Sequence, residues 1–293
     1  MGSVIRIGSR ESRLAVMQAE IIRREIERLH PEVKTEIITM KTTGDKILGQ
    51  SLEQIGGKGL FVKELDQALL NGEIDLSVHS LKDMPMDIME ELPILAFGER
   101  EDPRDVLILR PGTASLPESA VIGTSSKRRM IQMKRLYPDA VFKGIRGNVQ
   151  TRLRKLSKEG YDGTILAAAG LKRLGMENVA ERYFTPEEMV PAAGQGILAV
   201  QGRKGEAYSF LEGIDHPSSR RMAEAERQFV RVLDGGCTSP VAAYARVQGN
   251  ELLLTGLYYL EEETYFTDQI CGNIEKAKFL GEELALSMQR RAE

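Results

Sequence analysis

The residues best placed to do chemistry lie on three turns. The first is Leu233-Asp234-Gly235-Gly236-Cys237-Thr238-Ser239-Pro240, which sets a thiol between a long charged helical stretch and a run that reads as strand. Gly235 and Gly236 allow positive φ or a close backbone approach, and Pro240 stops a helix from running through, so Cys237 sits on a loop. A thiol there is either used chemically or packed inert on the core, since free cysteine is among the most buried residue types. The octapeptide alone leaves both readings open. The second turn is Lys82-Asp83, after the apolar run Ile74 to Val78. An acid at the end of a buried strand can stabilise a cation or shuttle a proton, and equally it can be a salt-bridged surface carboxylate.

The third feature is basic. Between Lys127 and Lys158, eleven Lys or Arg accompany a single acid, Asp139, in a chain whose formal net charge is −3. Such a block is a solvated helix face, a nucleic-acid surface or a site for a small polyanion. Two details favour the last. Gly123-Thr124-Ser125-Ser126 opens a helix at Lys127, so backbone N–H groups and hydroxyls point at whatever Arg128 and Arg129 hold. Arg146-Gly147-Asn148 repeats the arrangement after the next strand, with Arg152 one turn inside its helix. Arg outnumbers Lys here, as bidentate carboxylate recognition requires, and Tyr137 and Phe142 are the only aromatics, too few for a base-stacking platform. His30, His79 and His216 lack ligand spacing, and no metal site is expected. Gly56-Gly57-Lys58-Gly59 lacks the P-loop pattern and reads as a mobile lid within the loop 42–59.

The elements that must position these groups follow an α/β order. Val4 to Ile7 is a strand, a polar turn carries Ser9, Arg10, Ser12 and Arg13, and Leu14 to Leu29 recur at helical spacing until His30-Pro31. A strand over Val33 to Ile37, a helix from about Leu60 to Leu70 and a strand over Ile74 to Val78 complete a βαβαβ series. That order implies a largely parallel sheet with ligand groups at its carboxyl ends. A second series begins near Gly98 to Pro103: strands at 105–109, 120–123, 140–143 and 163–167 with helices at 126–136 and 148–158. Val190 to Gly196, including Gln195, is a second small-residue crossing. Two crossings flanking one domain make a double hinge around a cleft. From Asp215 the pattern becomes a charged helix, a hairpin about Gly249-Asn250, a third strand and a final helix, which is a small α+β domain. The expected domains are 1–98 with 194–214, 99–193 and 215–293.

A chain of 293 residues with 42% hydrophobic and 28% charged residues is long enough for two or three such cores. Its negative net charge argues against whole-protein nucleic-acid binding. Two cysteines give neither a disulfide framework nor a paired metal motif, and no signal peptide or membrane-length apolar run is visible, so a cytoplasmic protein is expected.

Taken together and in order, Val78-His79-Ser80-Leu81-Lys82-Asp83-Met84-Pro85, Gly123 to Arg129, Arg146 to Arg152, Ala193-Gly194-Gln195-Gly196 and Gly235-Gly236-Cys237 closely resemble the porphobilinogen deaminase family, the hydroxymethylbilane synthases of tetrapyrrole biosynthesis. Arg13, Lys127 and Ser239 depart from the residues usual there. The resemblance implies two α/β domains like those of a periplasmic binding protein, plus a C-terminal α+β domain carrying a dipyrromethane cofactor thioether-linked to Cys237. It further implies head-to-tail addition of four porphobilinogen molecules with loss of ammonia. Asp83 would stabilise the cationic azafulvene formed as ammonia leaves. Arg10, Ser12, Arg146, Arg152 and Arg173 would bind substrate, and Lys82, Asp83, Thr124, Ser125, Ser126, Arg128, Arg129, Arg146, Gly147 and Gln195 would hold the cofactor. A monomer with no nucleic-acid or membrane partner is expected. The competing reading is a non-catalytic protein closing two α/β domains on a polycarboxylate; it fits the arginines but leaves Cys237 and the third domain unexplained.

Overall fold

Alternation and helical spacing become structure in the chain order expected. The computed structural model describes residues 4–42, 62–233, 240–260 and 264–293. Gly56 to Gly59, expected to form a lid, and Cys237 lie outside the described residues. Strand β1 (Ile5–Arg10) leads into α1 (Arg13–Leu29), then β2 (Thr35–Met40), α2 (Lys63–Leu70), β3 (Leu76–Ser80), a 3₁₀ turn at Leu81–Asp83 and β4 (Ile94–Phe97). Next come β5 (Asp105–Leu109), β6 (Val121–Gly123), α3 (Lys127–Leu136), β7 (Val141–Lys143), α4 (Val149–Lys158), β8 (Gly163–Ala167), α5 (Ala168–Arg173) and β9 (Arg182–Tyr183). The chain ends with β10 (Leu198–Gly202), α6 (Pro217–Val232), β11 (Ala242–Gln248), β12 (Glu251–Tyr259), β13 (Tyr265–Asn273) and α7 (Ala277–Ala292).

These elements cluster into two compact units. One is Met1–Glu101 with Ile197–Arg220; the other is Asp102–Gly196 with Arg221–Glu293. The first unit holds a sheet of order β2-β1-β3-β10-β4, in which β1 runs parallel to β2 and β3 while β10 is antiparallel to β3 and β4. The sequence implied a largely parallel sheet. Four of the five strands bear this out; the exception is β10, which enters after the long excursion through β5 to β9 and reverses direction. In the second unit the sheet β7-β6-β8-β5-β9 repeats the plan, with β6 parallel to β7 and β8 and with β5 antiparallel to β8 and β9.

Both sheets are covered on two faces. Ile37 of β2 packs with Ile7, Ile22, Ile26 and Val78 in one core, while its neighbour Ile38 packs with Leu65, Leu69 and Leu92 in another. Successive strand residues point to opposite faces, so α1 and α2 lie on opposite sides of the sheet. Leu107 and Ile108 divide in the same way in the second unit. In α1 the buried Ala15, Ala19, Ile22 and Ile26 are spaced four, three and four residues apart, one stripe of a helix. Ser12 accepts the Ala15 N–H at 3.3 Å as its N-cap.

The smaller sheet, β11-β12-β13, is an antiparallel meander in the second unit. Its Ala242 and Leu257 pack with Ile131 of α3 and with Val190. Fully buried Glu226 of α6 accepts the Gly194 N–H at 2.7 Å and the Ala245 N–H at 2.6 Å, which ties the Val190 to Gly196 segment to β11 through one carboxylate. Gly194 has φ +75°, a conformation that glycine adopts at little cost.

Candidate active site

In the first unit, one pocket is formed where β1 and β3 end. Its lining includes Arg10, Ser12, Gln18, His79, Ser80 and Asp83. Residues Gly8 and Ser77 pair across β1 and β3, so the parallel register brings Arg10 and the turn carrying Asp83 to the same sheet end. Asp83 closes the 3₁₀ turn and is exposed, with Lys82 half-buried beside it. Ser12 uses one lone pair as the helix cap; its hydroxyl keeps a proton to donate. Gln18, which the sequence reading did not single out, donates to Ser80 Oγ at 2.7 Å and is buried.

Behind that pocket, on β3 and β10, lies a buried polar file. Ser77 Oγ lies 2.8 Å from His79 Nε2 and donates to Gln201 Oε1 at 3.4 Å. Burial, with the charge of Arg10 second, pushes His79 down to about 4. On α2, burial pushes Asp66 up to about 6 against a smaller opposing effect of its hydrogen bond with Gln201. The two act oppositely on stability. His79 binds fewer protons folded than unfolded, so its contribution is present above about pH 6.5 and is lost as pH falls through 4. Asp66 binds more protons folded, so its contribution is present below about pH 3.8 and is lost as pH rises through 6. Between pH 4 and 6 the slopes offset each other. Asp66→Asn is therefore expected to steepen the rise of the urea midpoint over that window and to raise stability at pH 7 by on the order of 1 kcal/mol, discounted for partial exposure. A midpoint that tracks the parent protein at every pH would remove Asp66 from the balance.

In the second unit the basic block resolves into two helix entries. At the first, Ser126 caps α3 by accepting the Arg129 N–H at 3.4 Å, Thr124 Oγ1 accepts the Ser126 N–H at 3.2 Å, and Ser125 donates to Ile145 O at 3.1 Å. Arg128 and Arg129 are turned inward, 5% and 6% exposed, and both reach Asp105, which is fully buried. Arg128 Nη2 lies 2.8 Å from Asp105 Oδ2, and Arg129 donates to Oδ1 through Nε at 3.1 Å and Nη2 at 2.8 Å. Burial pushes the Arg128 guanidinium down, and the charge of Asp105 opposes that shift. Two guanidiniums and one carboxylate carry a net single positive charge in a desolvated setting, where an arriving anion meets little screening. Gln195 Nε2 donates to Asp105 Oδ1 at 3.1 Å and to Pro103 O at 2.6 Å, so it joins the same cluster.

The second entry is Arg146-Gly147-Asn148. Asn148 caps α4 by accepting the Thr151 N–H at 2.9 Å, and Arg152 Nε donates to Gly147 O at 2.9 Å. Gly147 has φ +117°, and a Cβ there would lie 2.5 Å from Thr151 Cγ2, so only glycine lets the chain enter the helix this way. Arg173, in α5, donates to Gly196 O at 2.5 Å. Arg10, Ser12 and Asp83 thus share a wall in the first unit; Arg128, Arg129 and Gln195 share a carboxylate in the second. Cys237 lies outside the described residues.

Sequence reasoning passed over Asp105 and found for His79 only that it lacks ligand spacing. For Asp105 there was a usable signal: an acid opening the otherwise apolar strand Asp105–Leu109 must find a cationic partner if buried. Among the described residues no cluster of three or more His, Cys, Asp or Glu is placed to hold a metal ion, and no helix is long and apolar enough to cross a membrane.

Residues 5–209 match the family model described as porphobilinogen deaminase, dipyromethane cofactor binding domain, and residues 221–290 match that of the porphobilinogen deaminase C-terminal domain. A porphobilinogen deaminase of Acetivibrio thermocellus is 50% identical over 289 residues, covering 99% of both chains. One of Ruminiclostridium cellulolyticum is 49% identical over 287 residues, covering 97% of both. Among solved structures, the periplasmic aliphatic sulphonate binding protein SsuA of Escherichia coli aligns over 80% of this chain and 71% of its own, at 11% identity and a TM-score of 0.43.

Proposed function

The chain belongs to the porphobilinogen deaminase family, and on that premise we propose which of its residues carry the family's reaction. It is a transferase of tetrapyrrole biosynthesis that adds four porphobilinogen molecules head to tail, with loss of ammonia, onto a dipyrromethane cofactor and releases 1-hydroxymethylbilane. Asp83 is the catalytic carboxylate, and Arg10, with Ser12, Arg146, Arg152 and Arg173, binds substrate carboxylates. Cys237 tethers the cofactor. Lys82, Asp83, Thr124, Ser125, Ser126, Arg128, Arg129, Arg146, Gly147 and Gln195 hold it. The domains are 1–98 with 194–214, 99–193 and 215–293, and the protein works in the cytoplasm as a monomer on a small substrate, without a nucleic-acid or membrane partner.

The observation that carries this assignment is the shared pocket wall of Arg10, Ser12 and Asp83. It joins an anion-binding fork, a hydroxyl donor and an exposed carboxylate, the groups needed to fix a substrate's acidic side chains while opposing positive charge on its ring. The donor set of the second unit suits the cofactor as well. A dipyrromethane built from two porphobilinogen units bears several carboxylates, and a desolvated cluster with one positive charge in excess, flanked by two capped helix entries, is complementary to such a group. Bound there, the dipyrromethane supplies a primer for elongation.

Arg10 then provides the test of substrate binding. Arg10→Gln should raise KM for porphobilinogen about 10- to 100-fold, the loss of one charged hydrogen-bonded contact, and lower kcat much less. Steady-state kinetics that leave KM within twofold of the parent value would exclude Arg10 from the substrate site.

A further inference from the structure

Asp105 has the geometry of an organiser. It is fully buried at the first position of β5 and draws three donors from two segments: Arg128 and Arg129 on α3, and Gln195 in the crossing before β10. Each donor is also anchored to a carbonyl, Arg128 Nη1 to Val190 O at 2.7 Å, Arg129 Nη1 to Ile165 O at 2.9 Å and Gln195 Nε2 to Pro103 O at 2.6 Å. Gln132 adds a brace by donating to Val190 O at 3.2 Å and accepting the Val190 N–H at 2.7 Å. A guanidinium is planar, so two fixed bonds set its plane.

We infer that Asp105 is a positioning residue of the cofactor site: one buried carboxylate that orients Arg128, Arg129 and Gln195 together and leaves their cluster a single positive charge for one carboxylate of the ligand. The inference rests on the reading that those three residues hold the dipyrromethane. Charge counting explains why one acid is used. With none, two guanidiniums would be buried side by side without compensation, a costly arrangement. With two, the cluster would be neutral and would have little attraction for an anion. One acid makes the cluster both foldable and receptive.

The test uses the full chain purified in parallel as parent, Asp105→Asn, Arg128→Gln, Arg129→Gln and the double variant Asp105→Asn/Arg129→Gln. Intact-protein mass gives the fraction carrying the covalent cofactor, urea unfolding gives folding, and steady-state kinetics on the loaded fraction gives KM and kcat. Asp105→Asn is expected to unfold cooperatively, to carry the cofactor in about a tenth of the parent fraction, and to raise KM about tenfold in the loaded remainder while kcat stays within a few-fold. In the double variant, which restores the single excess charge that Arg129→Gln alone removes, loading should exceed that of Arg129→Gln. This second comparison decides the matter if the single Asp105 variant does not fold. Parental loading and KM in Asp105→Asn, with both arginine variants impaired, would overturn the positioning role alone. So would a double variant that loads no better than Arg129→Gln. Parental behaviour of both arginine variants would instead overturn the cofactor-site reading beneath it.

Discussion

Asp83→Asn is expected to lower kcat by about 10² to 10³ while leaving KM for porphobilinogen within a few-fold of the parent value. Asparagine matches the carboxylate in size and keeps one oxygen acceptor, so the 3₁₀ turn at Leu81–Asp83 and the pocket wall shared with Arg10 and Ser12 should persist. What disappears is the negative charge. As ammonia departs from the substrate's aminomethyl carbon, positive charge spreads into the pyrrole ring, and a fixed carboxylate beside that ring interacts more strongly with the transition state than with the ground state. Substrate carboxylates still meet Arg10, so the loss falls on kcat rather than on binding. The covalent cofactor is expected to remain in place, because the arginine cluster proposed to hold it together with Asp83 keeps its charge. Full parental kcat in Asp83→Asn would refute the role given to this carboxylate, and a rise in KM with kcat unchanged would turn Asp83 into a binding residue.

How much of this was legible beforehand depended on whether a signal was local. Strand-end placement exposed Arg10, Ser12 and Asp83, because a parallel β-α-β series puts the residues after each strand on one edge, and the pocket indeed joins all three. Capping residues were equally local: Ser12, Ser126 and Asn148 start α1, α3 and α4 through their own side chains. Burial was not local. Arg128 and Arg129 read as cations displayed at a helix entry, yet they point inward, because Asp105, more than twenty residues earlier, compensates them. His79 looked like one histidine without ligand spacing, and Gln201, which accepts from its hydrogen-bond partner Ser77, arrives only with β10. Short elements were lost for a related reason. Residues 94–97 lie between Pro93 and Gly98, and β9 has two residues, paired with β5, so neither has a length over which periodicity can register.

Cys237→Ser is expected to abolish the covalent adduct and to reduce turnover to below about a thousandth of the parent rate. A thioether forms through the thiolate, which an ordinary cysteine with a pKa near 8.5 populates by a few per cent at neutral pH; a serine hydroxyl ionises far less and is a much weaker nucleophile. Without a tether no primer is retained, and elongation has nothing to extend. Two cysteines compete for the role. Cys271 is exposed near the end of β13, opposite Leu253 in a regular antiparallel ladder. There its backbone is committed to the sheet, and its side chain stands at a fixed alternation. Cys237 follows two glycines and precedes Pro240 by three positions, so its local sequence permits the close approach that a covalent cofactor demands. The adduct, seen as added mass on the intact parent protein, should therefore map to the peptide containing Cys237, and Cys271→Ser should retain both the added mass and parental turnover. An adduct on the Cys271 peptide, or active protein of unmodified mass, would remove Cys237 from the mechanism. Loss of the adduct in Cys237→Ser with a cooperative unfolding transition preserved would mark the thiol as a chemical anchor rather than a packing residue.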